Sequence, residues 1–234
     1  MTQQLGFDLP SRPALGRDAF FVSPANAVAL ALIDSWPNWA GNKLVLTGPK
    51  GAGKTHLTHV WAAASGARII KASSLASSSA SSTPADQIPD LATGPVAVED
   101  IDQIAGNPEA ETGLFHLHNL VLAEGHSILF TGNAPIVQWG LQLPDLLSRL
   151  QGATVAALEA PDDALLTALL VKLLADRQLT PKAELIPYLL GRMDRSFAAA
   201  IDLVERLDSA SLAQKRPITR QLAAGVLDKD APDT

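Results

Sequence analysis

Residues 48–55 of this chain read GPKGAGKT and match the phosphate-binding loop pattern G-x-x-x-x-G-K-[ST]. An apolar run at residues 44–46 precedes the match, and apolar residues at helical spacing follow it at residues 56–61. This is the strand–loop–helix context that the pattern requires. A chance match in a chain of 234 residues has odds of about one per cent. The sequence therefore predicts a protein that binds a nucleoside triphosphate or its product, and a glycine-rich turn capping an ordinary helix is the weaker alternative.

The residue types of this loop suit phosphate. Glycines allow successive backbone N–H groups to converge on phosphate oxygens, and the following helix presents its positive N-terminal end to them. Lys54 would reach the β- and γ-phosphates, and Thr55 would offer its hydroxyl to Mg²⁺. The residues that we expect to surround the nucleotide here are Gly48, Pro49, Lys50, Gly51, Ala52, Gly53, Lys54, Thr55 and His56.

The apolar segments alternate between strand-like and helix-like patterns in the first two thirds of the chain. This alternation favours an α/β fold, in which a parallel sheet is covered by helices on both faces. After Pro161 the patterns are helical alone, with Asp162 and Thr219 as predicted helix caps. The predicted strands are residues 44–47, 68–71, 96–100, 127–131 and 154–158, and the predicted helices after Pro161 are residues 163–177, 181–192, 196–213 and a short one from Thr219.

Three domains are expected along the chain. Residues 1–12 carry turn formers and little periodicity, which indicates a flexible arm. Residues 13–160 would form the α/β nucleotide-binding domain, and residues 161–234 an all-helical domain. Within the second part, the serine- and alanine-rich residues 73–84 cannot bury a face and predict a mobile surface connection.

The composition limits the partners of this chain. The net charge is −6 and no Lys/Arg cluster occurs, so autonomous DNA binding is not expected. The absence of cysteine excludes disulfides and thiolate metal sites. The five histidines lack metal-ligand spacing, so Mg²⁺ is the only metal expected. No apolar run is long enough for a membrane span and no signal pattern opens the chain, so we expect a cytoplasmic protein without membrane contact.

Polar residues follow two of the predicted strands, where a phosphate site would lie. Glu99 and Asp100 end an apolar run, and carboxylates there can hold Mg²⁺ through water and polarise an attacking water. Asn133 follows another such run and can orient water or touch the γ-phosphate from the carboxyl edge of the sheet. The alternatives are a solvated strand end for the two acids and a turn former for Asn133.

Two arginines lie at predicted helix ends. Arg149 ends a helical segment, where a cation complements the helix dipole. The more specific interpretation is a finger that reaches the nucleotide of a neighbouring subunit. Arg195 opens a helical segment, where a cation is mildly unfavourable, and a phosphate group would be its partner.

Taken in order, these motifs resemble the AAA+ module of the bacterial replication initiator DnaA, and more closely its shortened homologues of the Hda/HdaA family. The resemblance covers nearly the whole chain. DnaA carries a further helix-turn-helix DNA-binding domain, which we do not expect here. The segments that carry the resemblance are FFVSPAN at residues 20–26, the phosphate loop, VEDID at residues 98–102, LSRL at residues 147–150 and DRS at residues 194–196.

The resemblance implies a fold and a set of roles. The fold would be that of an AAA+ P-loop NTPase, with a parallel five-stranded sheet sandwiched by helices and an all-helical lid domain after it. ADP or ATP with Mg²⁺ would be bound. Lys54 and Thr55 would be Walker A residues, Glu99 a Mg²⁺ ligand with Thr55, Asp100 the other Walker B acid, Asn133 sensor 1, Arg149 the arginine finger and Arg195 sensor 2, with Phe21 and Val22 beside the nucleotide.

One departure from the pattern concerns Walker B. The metal-side position is more commonly Asp in P-loop NTPases, whereas this chain has Glu99. The longer side chain would displace Mg²⁺ or the lytic water, so weak or no intrinsic hydrolysis is expected. Nucleotide binding depends mainly on backbone amides and Lys54 and is expected to persist.

The arm strengthens the resemblance. The segment QLGFDL at residues 4–9 is similar to the short peptide by which Hda proteins dock onto the DNA-polymerase sliding clamp. A glutamine with spaced large apolar side chains on a flexible arm suits insertion into a hydrophobic pocket. Packing of the apolar residues against the chain's own domain is the alternative. The residues concerned are Gln4, Leu5, Phe7 and Leu9.

The resemblance implies a regulatory AAA+ protein. It would bind adenine nucleotide, dock onto the clamp and pair with ATP-bound DnaA, whose hydrolysis Arg149 would stimulate in trans, so that re-initiation of chromosome replication is limited. Self-association is a further expectation, since AAA+ modules often assemble. A small-molecule P-loop kinase, a helicase-loader-like ATPase and a DNA-binding initiator are the alternatives. No acceptor signature supports the kinase.

Overall fold

The computed structural model describes residues 22–76, 84–214 and 216–228. Its centre is a five-stranded sheet with the strand order β2-β3-β4-β1-β5. All paired neighbours in this sheet run parallel, which confirms the predicted fold class. The strands are β1 (Lys43–Thr47), β2 (Arg68–Lys71), β3 (Val96–Glu99), β4 (Ile128–Gly132) and β5 (Thr154–Ala157).

Helices cover both faces of this sheet. Leu44 and Leu46 of β1 point into one buried cluster, which also contains Trp61, and Val45 points into the other, which also contains Phe130. This alternation along one strand is the period of two that a sheet buried on both faces requires. The helices before β5 are α1 (Ala27–Asp34), α2 (Lys54–Ser65), α3 (Pro84–Leu91), α4 (Pro108–Ala123) and α5 (Pro144–Gln151).

The C-terminal part is helical in its described residues and has a hydrophobic cluster of its own. The predicted caps are confirmed: the Asp162 side chain accepts a hydrogen bond from the Leu165 N–H, and that of Thr219 accepts one from the Leu222 N–H. Among the described residues, no helix is both long and apolar enough to cross a membrane. The helices here are α6 (Asp163–Asp176), α7 (Leu185–Leu190), α8 (Phe197–Gln214) and α9 (Arg220–Leu227).

The structure differs from the predicted elements by more than one residue in two places. Helix α7 spans Leu185–Leu190 and is shorter than the predicted 181–192, since residues 183–184 form a turn before it. The serine-rich segment predicted to be a mobile connection is partly structured. Its first residues form a 3-10 helix, Ala72–Ala76, in which Leu75 is buried against Gly113. A single large apolar side chain thus anchors a stretch whose average composition indicated a loop.

His118 on α4 is a buried histidine. The residue is 2% exposed, and its ring stacks on that of Phe130 at a centroid distance of 6.1 Å. Its Nδ1 lies 3.0 Å from the Asn119 side-chain oxygen, and its Nε2 makes no hydrogen bond within the described residues. Burial lowers the pKa of His118, the Asn119 contact opposes this, and the charges of Lys43 and Arg149 add to the lowering. The imidazole is therefore neutral at pH 7.

This lowered pKa predicts a pH dependence of stability. The unfolded chain takes up the His118 proton near the ordinary pKa of about 6.5, whereas the folded chain resists it. Stability at neutral pH is therefore expected to fall as pH drops through that range. In His118→Leu, the free energy of unfolding from urea titrations should fall less between pH 7 and pH 5 than in the wild type. His116→Leu, exposed on the same helix, should leave the slope unchanged, and equal slopes in all three proteins would contradict the prediction.

Candidate functional site

The phosphate loop lies between β1 and α2, at the carboxyl edge of the sheet. Gly48 has φ +152°, and a Cβ there would lie 2.4 Å from the Leu158 carbonyl oxygen. Gly51 and Gly53 have φ +81° and +98°. Glycine is the residue that adopts such angles without steric cost. The loop glycines therefore allow the turn and its close approach to the chain after β5.

Lys54 begins α2 and is 7% exposed. Its ammonium donates to the carbonyl oxygens of Gly48 at 2.7 Å and Pro49 at 2.9 Å, and to the side-chain oxygen of Asn133 at 3.0 Å. These three acceptors match the three donors of an ammonium group. Lys54 thus joins the phosphate loop to the residue that follows β4.

Two opposing effects act on the pKa of Lys54. Burial lowers the pKa of its ammonium, and the carboxylates of Asp100, Asp102 and Glu99 act in the opposite direction. Phosphate groups would add to the effect of the carboxylates, because a nearby negative charge favours the charged ammonium. The site therefore combines a buried cation with acids at the end of β3, which is separated from β1 by β4.

Asp102 belongs to the site, although it carried no predicted role of its own. Its carboxylate accepts from the Asn133 backbone N–H at 3.2 Å and from the Asn133 side-chain NH₂ at 2.8 Å. These two bonds direct the Asn133 side-chain oxygen towards Lys54. The only sequence signal for Asp102 was its place in the acidic segment after β3. Its contact with Asn133 was not predictable from local patterns, because the two residues are 31 positions apart.

Glu99 and Asp100 end β3 in different environments. Glu99 is 7% exposed, and its Oε1 makes no hydrogen bond within the described part of the chain. Asp100 adopts φ +59°, and its backbone N–H donates to the Thr131 hydroxyl at 3.2 Å. A buried carboxylate oxygen without a partner suits Mg²⁺, which takes one or two carboxylates together with phosphates and waters. With the exposed hydroxyl of Thr55, the residues present fit this ion.

In residues 22–76, 84–214 and 216–228, no group of three or more His, Cys, Asp or Glu residues is placed to hold a metal ion.

The helical domain contacts the phosphate loop directly. The Phe197 backbone N–H donates to the Gly51 carbonyl oxygen at 3.1 Å, and a Cβ on Gly51 would lie 2.2 Å from the Ser196 Cβ. Arg195 precedes this contact, but its guanidinium forms an ion pair with the Asp163 carboxylate at the start of α6. The backbone next to Arg195 therefore contacts the phosphate loop, whereas the Arg195 guanidinium is paired with Asp163.

Arg149 lies away from this group of residues. It is exposed in the last turn of α5, and its carbonyl oxygen accepts from the Lys43 ammonium at 2.8 Å. Lys43 is the first residue of β1, whereas the phosphate loop follows the last. With a rise of about 3.3 Å per residue, these two ends of β1 are more than about 10 Å apart.

The remaining predicted site residues divide into two groups. The first group lies within the described residues: Val22 is 58% exposed, Lys50 is exposed, and His56 is half-buried beside the phosphate loop. Phe21 and the clamp-binding residues Gln4, Leu5, Phe7 and Leu9 lie outside the described residues.

Comparisons with known proteins agree with this geometry. Residues 162–226 match the family model described as Hda, lid domain. Domain III of the Thermotoga maritima replication initiation protein DnaA aligns with a TM-score of 0.81 at 19% identity, over 96% of this chain and 100% of that one. AMPPCP-bound DnaA from Aquifex aeolicus aligns with a TM-score of 0.68 at 20% identity, over 82% of this chain and 63% of that one. The Thermotoga maritima RuvB Holliday junction branch migration motor aligns with a TM-score of 0.64 at 17% identity, over 82% of this chain and 62% of that one.

The fold of this chain is the AAA+ fold of these structural neighbours, with a five-stranded parallel sheet followed by a helical region. In this chain the phosphate loop follows β1 and two acids lie at the end of β3. The helical region matches the Hda lid model over residues 162–226, and the whole fold resembles domain III of DnaA. The predicted resemblance to Hda-like, DnaA-related AAA+ proteins is thus confirmed in the fold and in the lid.

The contact between lid and loop can be tested at Gly51. Alanine there would take a left-handed angle and collide with Ser196. Gly66→Ala is the matched control, because its φ is +72° but nothing lies within 4 Å of its Cβ. The left-handed angle costs about 1–2 kcal/mol in both variants, and overpacking adds about 1–3 kcal/mol in Gly51→Ala alone.

We expect the additional strain in Gly51→Ala to weaken ADP binding by about tenfold or more, since tenfold corresponds to about 1.4 kcal/mol. Isothermal titration calorimetry with ADP measures this affinity for both variants. Gly66→Ala should bind ADP as the wild type does. Equal affinity in the two variants would show that the loop tolerates the side chain.

Proposed function

We propose that this protein is a replication regulator that binds adenine nucleotide and, together with the sliding clamp, stimulates ATP hydrolysis by DnaA. DnaA in its ADP form would no longer start replication, so re-initiation would be limited. The lid of the Hda family and the DnaA-like fold support this proposal. We also propose that the chain is divided into an arm (1–12), a nucleotide-binding domain (13–160) and a lid (161–234).

The proposed ligand is ADP or ATP with Mg²⁺. The glycine-bearing loop, the buried Lys54 ammonium and the partner-free oxygen of Glu99 support it. Structures of DnaA with AMPPCP bound have the same fold. Within the site, Lys54 would neutralise phosphate oxygens and Asn133, held by Asp102, would face the terminal phosphate. Because Glu99 is longer than the usual Asp, we propose that intrinsic hydrolysis is weak or absent.

The observation that carries the proposed action in trans is the distance of Arg149 from the chain's own phosphate loop. Arg149 lies beside the first residue of β1, and the loop follows the last. An arginine beside the first residue of β1 would contact a nucleotide that is bound by a neighbouring molecule. In the proposed complex, the Arg149 guanidinium lies against the γ-phosphate of ATP on DnaA, where it stabilises the charge that develops as water attacks and ADP leaves.

The finger can be tested with Arg149→Ala. This variant should lose the stimulation of DnaA-catalysed ATP hydrolysis, since arginine fingers in other NTPases raise the rate about 10³–10⁵-fold. Release of labelled phosphate from ATP–DnaA in the presence of clamp loaded on DNA is the measurement. The variant should bind ADP as the wild type does, because Arg149 lies outside the nucleotide site.

Arg216→Ala is a matched control for charge, because Arg216 is exposed on the lid. It should stimulate DnaA as the wild type does. Normal stimulation by Arg149→Ala would remove the finger from the proposal.

We propose that the arm residues Gln4, Leu5, Phe7 and Leu9 dock onto the sliding clamp. The double variant Gln4→Ala/Leu5→Ala should reduce capture by immobilised clamp at least about tenfold, the loss that corresponds to about 1.4 kcal/mol. Ser11→Ala/Arg12→Ala changes two residues of the same arm outside the peptide and should be captured normally. If the first double variant is captured as well as the wild type, the peptide does not bind the clamp.

A further inference from the structure

Helix α5, which carries Arg149, is held at both ends by charged side chains from other elements. These side chains are Glu111 at the N-terminal end and Lys43 at the C-terminal end. Helix α5 itself has eight residues, too few to be stable on its own. The position of its last turn therefore depends on what holds it to the rest of the molecule.

Glu111 holds the start of α5. It is 1% exposed in the first turn of α4, and its Oε2 accepts from the backbone N–H groups of Gln142 at 2.8 Å and Leu143 at 2.6 Å. Its Oε1 accepts from the Gly106 N–H at 2.9 Å. Leu143 is the N-cap residue of α5 and makes no side-chain cap bond. The carboxylate thus satisfies three backbone donors and ties the start of α5 to the segment after β3.

Lys43 holds the end of α5. Its ammonium donates to the Arg149 carbonyl oxygen at 2.8 Å and lies beside Gly152, which ends the helix. Free carbonyl groups at a helix C-terminus attract a cation. Burial lowers the pKa of Lys43, and the Arg149 charge lowers it further. The ammonium and the guanidinium repel each other, which favours a guanidinium turned outwards to solvent, where a partner can meet it.

We propose that Glu111 and Lys43 are positioning residues for the Arg149 finger. They fix the two ends of α5 so that the guanidinium is presented to a partner's nucleotide in one direction. The inference rests on the proposed function of Arg149. Both side chains act through backbone groups at the ends of α5 and not through the nucleotide.

The test uses the full-length protein with ATP-bound DnaA and clamp loaded on DNA. Lys43→Met keeps an unbranched side chain that is one atom shorter and removes the donor, whereas Lys43→Arg keeps a donor and a charge. A displacement of about 1 Å in a catalytic group can cost about 10²-fold in rate. We expect Lys43→Met to lower the maximal DnaA hydrolysis rate by about ten- to hundredfold, with the half-saturating concentration unchanged. Lys43→Arg should recover most of that rate.

Controls separate positioning from general damage. Lys182→Met removes an exposed lid lysine and should change nothing. Lys43→Met should bind ADP and unfold thermally as the wild type does. In an Arg149→Ala background it should cause no further loss, because the finger through which it acts is absent.

Glu111→Gln is the second variant. It puts an amide NH₂ group opposite backbone donors, so it should lower the maximal rate in the same way, with faster hydrogen exchange at Gln142 and Leu143. If this variant does not fold, the Lys43 series alone decides the result. Wild-type stimulation by Lys43→Met, or equal loss in Lys43→Met and Lys43→Arg, overturns the inference. Normal stimulation by Arg149→Ala overturns the proposed function instead.

Discussion

The site depends on the buried ammonium of Lys54. An ammonium removed from water is costly unless its donors find acceptors, and here two loop carbonyls and the Asn133 side chain supply them. These acceptors come from two different strand ends, so one charge joins the phosphate loop to the chain after β4. Asp102 fixes Asn133 in turn. A short chain of hydrogen bonds therefore gives the carboxyl edge of the sheet its shape.

Local patterns in the sequence were sufficient for most of the fold. The five strands were predictable because each is a short apolar run, and the caps at Asp162 and Thr219 because their side chains serve their own helices. Asp102 had no assigned role, since a carboxylate after a strand resembles a solvated turn until its distant partner is known. The buried Leu75 was missed because one apolar side chain among serines leaves no periodic signal. What escaped prediction were contacts between residues far apart in the chain.

The lid contacts the phosphate loop through a backbone hydrogen bond and not through a charged side chain. The Phe197 N–H and the Gly51 carbonyl form the contact, and Ser196 packs where Gly51 has no side chain. Arg195 is meanwhile paired with Asp163 inside the lid. An exposed ion pair of this kind is worth at most about 1 kcal/mol, so in the proposed nucleotide complex a phosphate group would displace Asp163 from Arg195 at little cost. The lid is thus held near the loop independently of its arginine.

The placement of Arg149 at one end of β1 and of the phosphate loop at the other makes the molecule directional. If Arg149 is the proposed finger, its contact with the nucleotide of a neighbouring molecule leaves one finger and one nucleotide free at the ends of the pair. Such head-to-tail contacts build rings or open filaments, whereas a closed two-fold dimer requires the same patch on both subunits. On the proposed function, this protein would therefore join a row of related molecules at one end of the row only.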